Sequence, residues 1–289
     1  HAATSKHATI KTGGIVDVEG VALVTGASRG IGRAVALELA TRGFDTVATM
    51  RDPAAGATLV EEAATAKGAL RVERLDVTDA EIVMPDGLRV IVNNAGVESE
   101  NLPLEVMPVD FWRTIFETNV VGLVAATRAA IPKLRDSGGG VICNVTSSSI
   151  LAPVPFLGAY RASKAAVSAL GESLQTEVAQ FGIRVVEIMP GPIVTDMLEA
   201  SDRPAAAIEH EQYRAQAEQM WESRQGIRSM YTPAGEAARR IVDAILDDDG
   251  PLRYGCDDMS EGMLDGWRSV ASDDDWLRPM FGAFAVDPA

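Results

Sequence analysis

Residues 21–40 read VALVTGASRGIGRAVALELA: a short apolar run, a glycine-rich turn, and an apolar segment of helical period. That order constrains the fold more than any other feature of the chain. Glycines at 26, 30 and 32 let a backbone turn sharply, approach an anion closely and pack a helix against the preceding strand. The helix N-terminus then offers unpaired N–H groups to a phosphate. A strand, glycine turn and helix in this order predict a dinucleotide or another phosphate ligand.

The same alternation continues. Strands are expected at 21–25, 46–50, 70–75, 89–93, 140–145 and 183–188, and helices at 30–42, 54–67, 109–135 and 157–181. Short apolar runs alternating with longer helical segments predict βαβ units, and hence a single doubly wound parallel α/β sheet with helices on both faces. The Val/Ile/Leu character of the first, fourth and sixth strands suits positions covered on both sides. Beyond residue 196 the alternation stops; a polar helical stretch at 203–225 and a helix at 233–246 opened by Pro233 follow. The reading is one domain over 20–289, with a flexible arm at 1–19, an insertion at 197–230 that covers a site or packs outside it, and a C-terminal extension at 247–289.

Composition narrows the function. A formal net charge of -15 excludes the basic face that nucleic acid requires and gives no attraction to anionic lipid. The acidic runs Asp247–Asp249 and Asp273–Asp275 read as solvated loops or helix ends. The two cysteines, Cys143 inside GVICNV and Cys256, do not suggest a disulfide framework. No run approaches the roughly 18 apolar residues of a membrane span, and no signal-peptide apolar region opens the chain. A cytoplasmic location is expected.

Three further motifs follow the glycine turn: NNAG at 93–96, YRASK at 160–164 and PGPIVTD at 190–196. Together they resemble the short-chain dehydrogenase/reductase family over roughly residues 20–200, with its Rossmann fold. The resemblance implies an NAD(P)-dependent oxidoreductase acting on a ketone or secondary alcohol. By resemblance Gly26, Ser28, Arg29, Gly30, Ile31 and Gly32 hold the cofactor, Asp76 and Val77 meet the adenine, and Ala95 and Gly96 leave room for a ribose, while Asn93 ties neighbouring strands. Pro190, Gly191 and Ile193 would line the nicotinamide, with Thr195 bonded to its carboxamide. Capping by Asp76 or Asp79 is the competing reading of the RLDVTD segment.

A ribose 2′-hydroxyl is usually held by a carboxylate at the end of the second strand, whereas a 2′-phosphate needs cations. Met50 stands at that position, with Arg51 beside it and Arg29 in the glycine turn. Two guanidiniums can clamp the phosphate, so NADP is expected. NAD held by Asp52 is the alternative.

Tyr160 and Lys164, four apart on a helix, share a face. An ammonium near a phenol favours the phenolate, which makes Tyr160 a general acid for carbonyl reduction and a base for the reverse. Ser147 lies thirteen positions before the tyrosine, the separation the family uses, with Thr146, Ser148 and Ser149 as rivals for holding the substrate oxygen. Asn119 resembles the family's fourth catalytic residue, whose local kink holds a proton-relaying water; asparagine is otherwise unfavourable inside a helix. An apolar pocket wall is expected from residues 150–159 with Met197, Leu198, Met220 and Trp221, although these also fit a plain core. By resemblance the chain assembles as a homodimer or homotetramer through the helices at 109–135 and 157–181. A non-catalytic dinucleotide-binding regulator on the same fold is the rival function.

The chain departs from its relatives in one place. Only 16 residues, 77–92, separate Asp76 from Asn93, where relatives place a full helix. With strand order 3-2-1-4 the connection must cross about 14 Å and return along about 17 Å of strand. Some 12 extended residues at about 3.3 Å each suffice, but a three-turn helix does not. A shortened or absent helix is expected, with the N-terminal arm, the C-terminal tail or a partner subunit shielding the sheet.

Overall fold

The computed structural model describes residues 18–98, 100–200 and 204–283. Apart from Val18 and Glu19, the expected N-terminal arm lies outside the described residues. Six parallel strands appear where the apolar runs fall: β1 (Val21–Val24), β2 (Asp45–Met50), β3 (Leu70–Arg74), β4 (Leu88–Asn93), β5 (Gly140–Val145) and β6 (Ile183–Ile188). Two short strands, β7 (Ile193–Val194) and β8 (Thr232–Pro233), pair with each other, and β9 (Arg253–Tyr254) joins the edge of the main sheet. The main sheet has seven strands in the order β3-β2-β1-β4-β5-β6-β9. Every residue of β5, and all but one of β4 and of β6, is buried, as strands covered on both faces require.

One face is covered by α1 (Gly30–Arg42), α2 (Ala57–Glu62) and α8 (Ala234–Leu246). Val35, Ala36 and Leu39 of α1 and Ile241, Val242 and Ile245 of α8 share a core with Ala22, Val24, Ala48 and Val92. On the other face α3 (Val109–Phe116), α4 (Leu123–Asp136) and α5 (Gly158–Val178) pack over the sheet, Ala126, Ala130, Leu134 and Leu174 meeting Leu23, Ile91, Ile142 and Val185. The helix expected over 54–67 is broken into α2 flanked by two 3-10 turns. Gly56 explains part of this: a β-carbon there would stand 2.7 Å from Val72 Cγ2, so the backbone runs too close to β3 for a regular helix. The helix expected over 109–135 is likewise interrupted, by a π turn at Glu117–Gly122 that contains Asn119.

Between β3 and β4 the chain forms turns and no helix, as the length argument requires. The face that such a helix would cover is shielded by the connection itself. Met84, 4% exposed, packs with Leu23, Val47, Leu88 and Ile91, and Ile82 joins it at the margin. The edge strand β3 does the rest: Leu70 and Val72 face the core on the α1 side, while Arg71 and Glu73 alternate to the other side and pair at 2.7 Å. The C-terminal tail does not serve as the expected shield. Its helices α9 (Asp258–Ser269) and α10 (Asp273–Ala283) sit elsewhere, Leu264 and Trp267 packing with Leu151 and Met189 beyond the C-terminal end of β5. Asp273, Asp274 and Asp275 occupy the first turn of α10, where acidic side chains complement the helix dipole.

The insertion contains α6 (Asp196–Ala200), three 3-10 turns and α7 (Arg214–Gly226), so the helix expected over 203–225 is realised in its second half. Ala205, Ala207, Ala217 and Met220 pack against Val154 and Phe156, which seats α7 over the C-terminal ends of the strands. No helix of the described residues is long and apolar enough to cross a membrane.

Candidate active site

The C-terminal ends of β1, β2, β4, β5 and β6 open into a cleft of about 680 Å³. Its floor is the glycine turn after β1. Gly26 has φ +67°, and a β-carbon on it would lie 2.8 Å from Ala95 Cα. Gly32 is more confined: its β-carbon would stand 2.3 Å from Asn94 Nδ2 and 2.6 Å from the Gly26 carbonyl oxygen. Glycine therefore lets the first turn of α1 close on the two loops, and Arg29, the N-cap of α1, leaves the helix N-terminus without a side-chain cap. That exposed set of N–H groups, in a cleft also lined by Ser28, Arg29, Gly30 and Ile31, fits a pyrophosphate. Asn94 and Thr25 lock the arrangement. The Asn94 side-chain amide donates to the carbonyls of Thr25 and Gly26, each at 3.0 Å, and the Thr25 hydroxyl accepts from the N–H groups of Asn94 and Ala95.

At the end next to β2 and β3 the cleft is lined by Met50, Arg51, Asp76 and Val77. Asp52 is not part of this lining; its carboxylate accepts from the Ala54 N–H at 3.0 Å and caps the 3-10 turn at Pro53–Gly56. Asp76 accepts from the N–H and the hydroxyl of Thr78. Those bonds, with smaller help from Arg51 and Arg74, hold its carboxyl below the usual carboxylate range. Asp79 pairs instead with Arg74 at 2.7 Å. Arg29 lies 3.8 Å from Asp196 across the mouth of the cleft, both side chains largely exposed.

Three of the expected cofactor and catalytic residues stand behind the wall rather than in it: Gly32, Asn93 and Asn119. Asn93, 3% exposed, donates to Asn144 of β5 and to Thr127 of α4, each at 2.9 Å, so it joins strands and helix without facing the cleft. Asn119 accepts from the Val97 N–H at 2.8 Å and donates to the Val97 carbonyl and to Ser163, both at 3.0 Å. The π turn that carries Asn119 aims its side chain across the helix axis toward that loop.

At the end of the cleft formed by β4, β5 and β6, Ala95, Gly96, Ser147, Tyr160, Lys164, Pro190, Gly191, Ile193 and Thr195 contribute to the lining. Ser147 and Tyr160 line this wall together, and the Ser147 hydroxyl accepts from the Ser149 N–H at 3.1 Å. Thr146 also lines the cleft, but its hydroxyl is shared between Glu187 and the Ile188 carbonyl, and Ser148 and Ser149 do not line it. Lys164 Nζ lies 5.7 Å from the Tyr160 ring centroid and donates to the Val145 carbonyl at 2.9 Å. The Gly191 N–H donates to Asp257 at 2.7 Å, and Thr195 accepts from the Leu198 N–H at 3.2 Å.

The electrostatics differ from the expectation of a depressed phenol. Burial pushes the Tyr160 hydroxyl up, the nearby Glu98 carboxylate pushes the same way, and the Ser147 hydrogen bond opposes them. Burial also lowers Lys164 to about 8, since its ammonium is 6% exposed and has lost most of its water.

The apolar wall is partly as expected. Val154, Leu157, Met197, Leu198 and Met220 line the cleft, whereas Ile150 and Leu151 pack with Met189, and Trp221 does not line it. Glu98, Arg224 and Tyr231 line it as well, without any motif in the sequence to announce them. The only local hint is that Glu98 follows NNAG by two positions.

The family model for short chain dehydrogenase matches residues 20–206, and the chain belongs to the short-chain dehydrogenase/reductase family. It is an NAD(P)-dependent oxidoreductase with a Rossmann-type fold. Among curated relatives, the uncharacterized oxidoreductase YusZ of Bacillus subtilis is 37% identical over 191 residues, 63% of this chain and 68% of that one. The 3-oxoacyl-[acyl-carrier-protein] reductase FabG of Staphylococcus aureus is 34% identical over 189 residues, 62% of this chain and 76% of that one. Among solved structures, a short chain dehydrogenase from Burkholderia cenocepacia in complex with NADP superposes with a TM-score of 0.67 at 24% identity, covering 94% of this chain and all of that one.

Proposed function

We propose that this oxidoreductase reduces a largely apolar ketone to a secondary alcohol at the expense of NADPH, with Tyr160 as the proton donor. The observation that carries the reading is the convergence of Ser147, Tyr160 and Lys164 on one wall of a cleft whose floor is an uncapped helix N-terminus. When bound, a reduced nicotinamide supplies the hydride to the carbonyl carbon. Tyr160 gives its proton to the carbonyl oxygen, which Ser147 holds in place, so one hydride and one proton make the alcohol. Lys164 would hold the nicotinamide ribose and, ionising near 8, assist return of a proton to Tyr160. Asn119 positions the loop after β4, and the π turn that carries it supports the proton-relaying water that the family resemblance assigns there.

NADP rather than NAD is supported by the second-strand end. Arg29 and Arg51 both line the adenosine end of the cleft, Met50 replaces a carboxylate there, and Asp52 is occupied as a cap. The Burkholderia neighbour holds NADP. We place the activity in a single catalytic domain over 20–289, in the cytoplasm. Half-exposed Val121 of the π turn and Val124 at the start of α4 support assembly as a homodimer or homotetramer.

The test is turnover of a panel of carbonyl compounds with NADPH, followed at the nicotinamide absorbance. Tyr160→Phe should lower kcat roughly 10³-fold while leaving NADPH affinity within about threefold. Activity retained in that variant refutes the assigned donor; tight cofactor binding with no turnover across the panel favours a ligand-binding regulator.

A further inference from the structure

Arg161 takes no part in the hydride and proton transfers above, and its place is unfavourable for a cation. It is the fourth residue of α5, near the helix end whose unpaired N–H groups favour anions. Its side chain is part-buried, burial weakens its hold on the proton, and among the described residues no carboxylate pairs with it. A charge placed at such cost calls for a function. What the guanidinium meets is backbone: Nε donates to the Ser149 carbonyl at 2.7 Å, and a terminal nitrogen donates to the Ile150 carbonyl at 2.8 Å. Both carbonyls belong to the 3-10 turn that Ser147 caps. The Ser147 hydroxyl accepts from the Ser149 N–H at 3.1 Å, which leaves its one proton to give to a substrate oxygen. Toward the sheet this turn is already fixed, since the Thr146 N–H donates to the Ile188 carbonyl at 2.8 Å and the Ser148 N–H to the Pro190 carbonyl at 2.9 Å. Toward α5 the chain alone does not fix it, because residues 151–157 are turns and irregular backbone. Arg161 bridges that stretch directly.

We infer that Arg161 is a positioning residue: by clamping two carbonyls of the serine turn to the residue that follows Tyr160, it sets the gap between the Ser147 hydroxyl and the Tyr160 phenol in which a carbonyl oxygen is held. The inference rests on the reductase reading. Tyr160 and Arg161 are consecutive on one helix, so a bond made by Arg161 fixes the backbone of the tyrosine against the turn. Ser149 is both the residue whose N–H holds the Ser147 hydroxyl and one whose carbonyl Arg161 holds, so the guanidinium acts on the group that orients the serine. A planar guanidinium bonded to two adjacent carbonyls fixes direction as well as distance, which the single ammonium of a lysine does not. Lys164, one turn further along α5, donates to the Val145 carbonyl just before the turn. The serine turn is therefore held to α5 on both sides, and loss of Arg161 frees the far side while leaving Lys164 in place.

The experiment is a double-variant cycle. Single-turnover oxidation of bound NADPH by the ketone that the wild type reduces fastest, and NADPH affinity by fluorescence titration, are compared in the wild type, Arg161→Met, Arg161→Lys, Ser147→Ala and the two double variants. Misplacing a reacting group by a fraction of an ångström is costly, so Arg161→Met should slow the single turnover about 10- to 100-fold with Ser147 present. In the Ser147→Ala background, where there is no hydroxyl left to misplace, the same substitution should cost less than about threefold. NADPH affinity should stay within about threefold throughout, and Arg161→Lys should fall between the wild type and Arg161→Met. Equal losses in the two backgrounds, no loss in either, or a parallel loss of NADPH affinity overturns the assignment while leaving the reductase reading intact. No ketone reduced by wild-type protein that binds NADPH defeats both readings. Should Arg161→Met fail to fold, Arg161→Lys decides by the same cycle.

Discussion

Arg253→Met should destabilise the protein strongly although Arg253 sits on a two-residue edge strand outside every motif. Its Nε donates at 3.0 Å to Glu187, a β6 residue 1% exposed. The remaining partners of that carboxylate are neutral: the Thr146 hydroxyl on one oxygen and the Ser168 hydroxyl on the other, both at 2.9 Å. Arg253 also bonds Glu172 and Ser168 and lies 5.9 Å from the centre of the Trp267 ring. Deleting the guanidinium leaves a buried carboxylate with two hydroxyls and no cation. Breaking a buried pair in this way costs about 3–5 kcal/mol. The Arg253 side chain is 20% exposed, so some water reaches the gap and the low end applies, about 3 kcal/mol. In a chain of this size that is a fall in Tm of roughly 5 °C.

Urea unfolding of the cofactor-free protein measures the loss, and the double variant Arg253→Met with Glu187→Gln separates pairing from packing. If the unpaired charge is the cause, neutralising it returns about 2 kcal/mol, and the two substitutions are far from additive. A loss under about 1 kcal/mol, or additive effects, refutes the reasoning. Because Thr146 directly precedes Ser147, the single variant should also lower kcat more than it changes the affinity for NADPH.

Two further outcomes follow from the site. Lys164 falls from about 10.5 unfolded to about 8 folded, so its penalty is fully present below pH 8 and fades as pH rises to 10.5. A shift of that size corresponds to about 3 kcal/mol, and loss of the bond to the Val145 carbonyl returns part of it. Lys164→Met should therefore gain roughly 1–2 kcal/mol at pH 7 while losing turnover, with the gain shrinking toward pH 10 in urea titrations; a less stable variant at pH 7 refutes this. Arg51→Ala should weaken NADPH binding about 10- to 100-fold and leave NADH within about threefold, read by fluorescence titration. Equal losses for both cofactors would remove the 2′-phosphate from Arg51.

Where function depends on residues close in sequence, the chain was legible. The glycine turn and the Tyr160–Lys164 spacing are local geometry, settled by one turn or one helical repeat. The missing crossover helix was legible too, because chain length limits reach. Its replacement was not: Met84 lies in a segment without period, and its burial depends on where β1 and β2 run beneath it. The β3 alternation of Leu70 and Val72 with Arg71 and Glu73 did carry the answer, since a strand with one charged face needs no helix over it. The depressed phenol expected for Tyr160 failed for a similar reason: spacing shows that Lys164 is near, but burial and Glu98 decide the balance.

The family model ends at residue 206, yet the catalytic wall is held from beyond that point. The two loops that flank the nicotinamide place are the turn after Ser147 and the segment from Pro190. Asp257, fully buried, receives the Gly191 N–H, and Ser260 completes a capping box with the same carboxylate at the start of α9. Trp276 of α10 donates its indole N–H to the Leu151 carbonyl at 2.7 Å, while Leu264 packs on Leu151 and Met189. These contacts bind the loops to each other through the tail, so the positions of Ser147 and Gly191 are set jointly. The tail was one of three expected shields of the sheet, beside the N-terminal arm and a partner subunit; by bracing both loops from outside the motif-bearing region, it takes part in shaping the site instead.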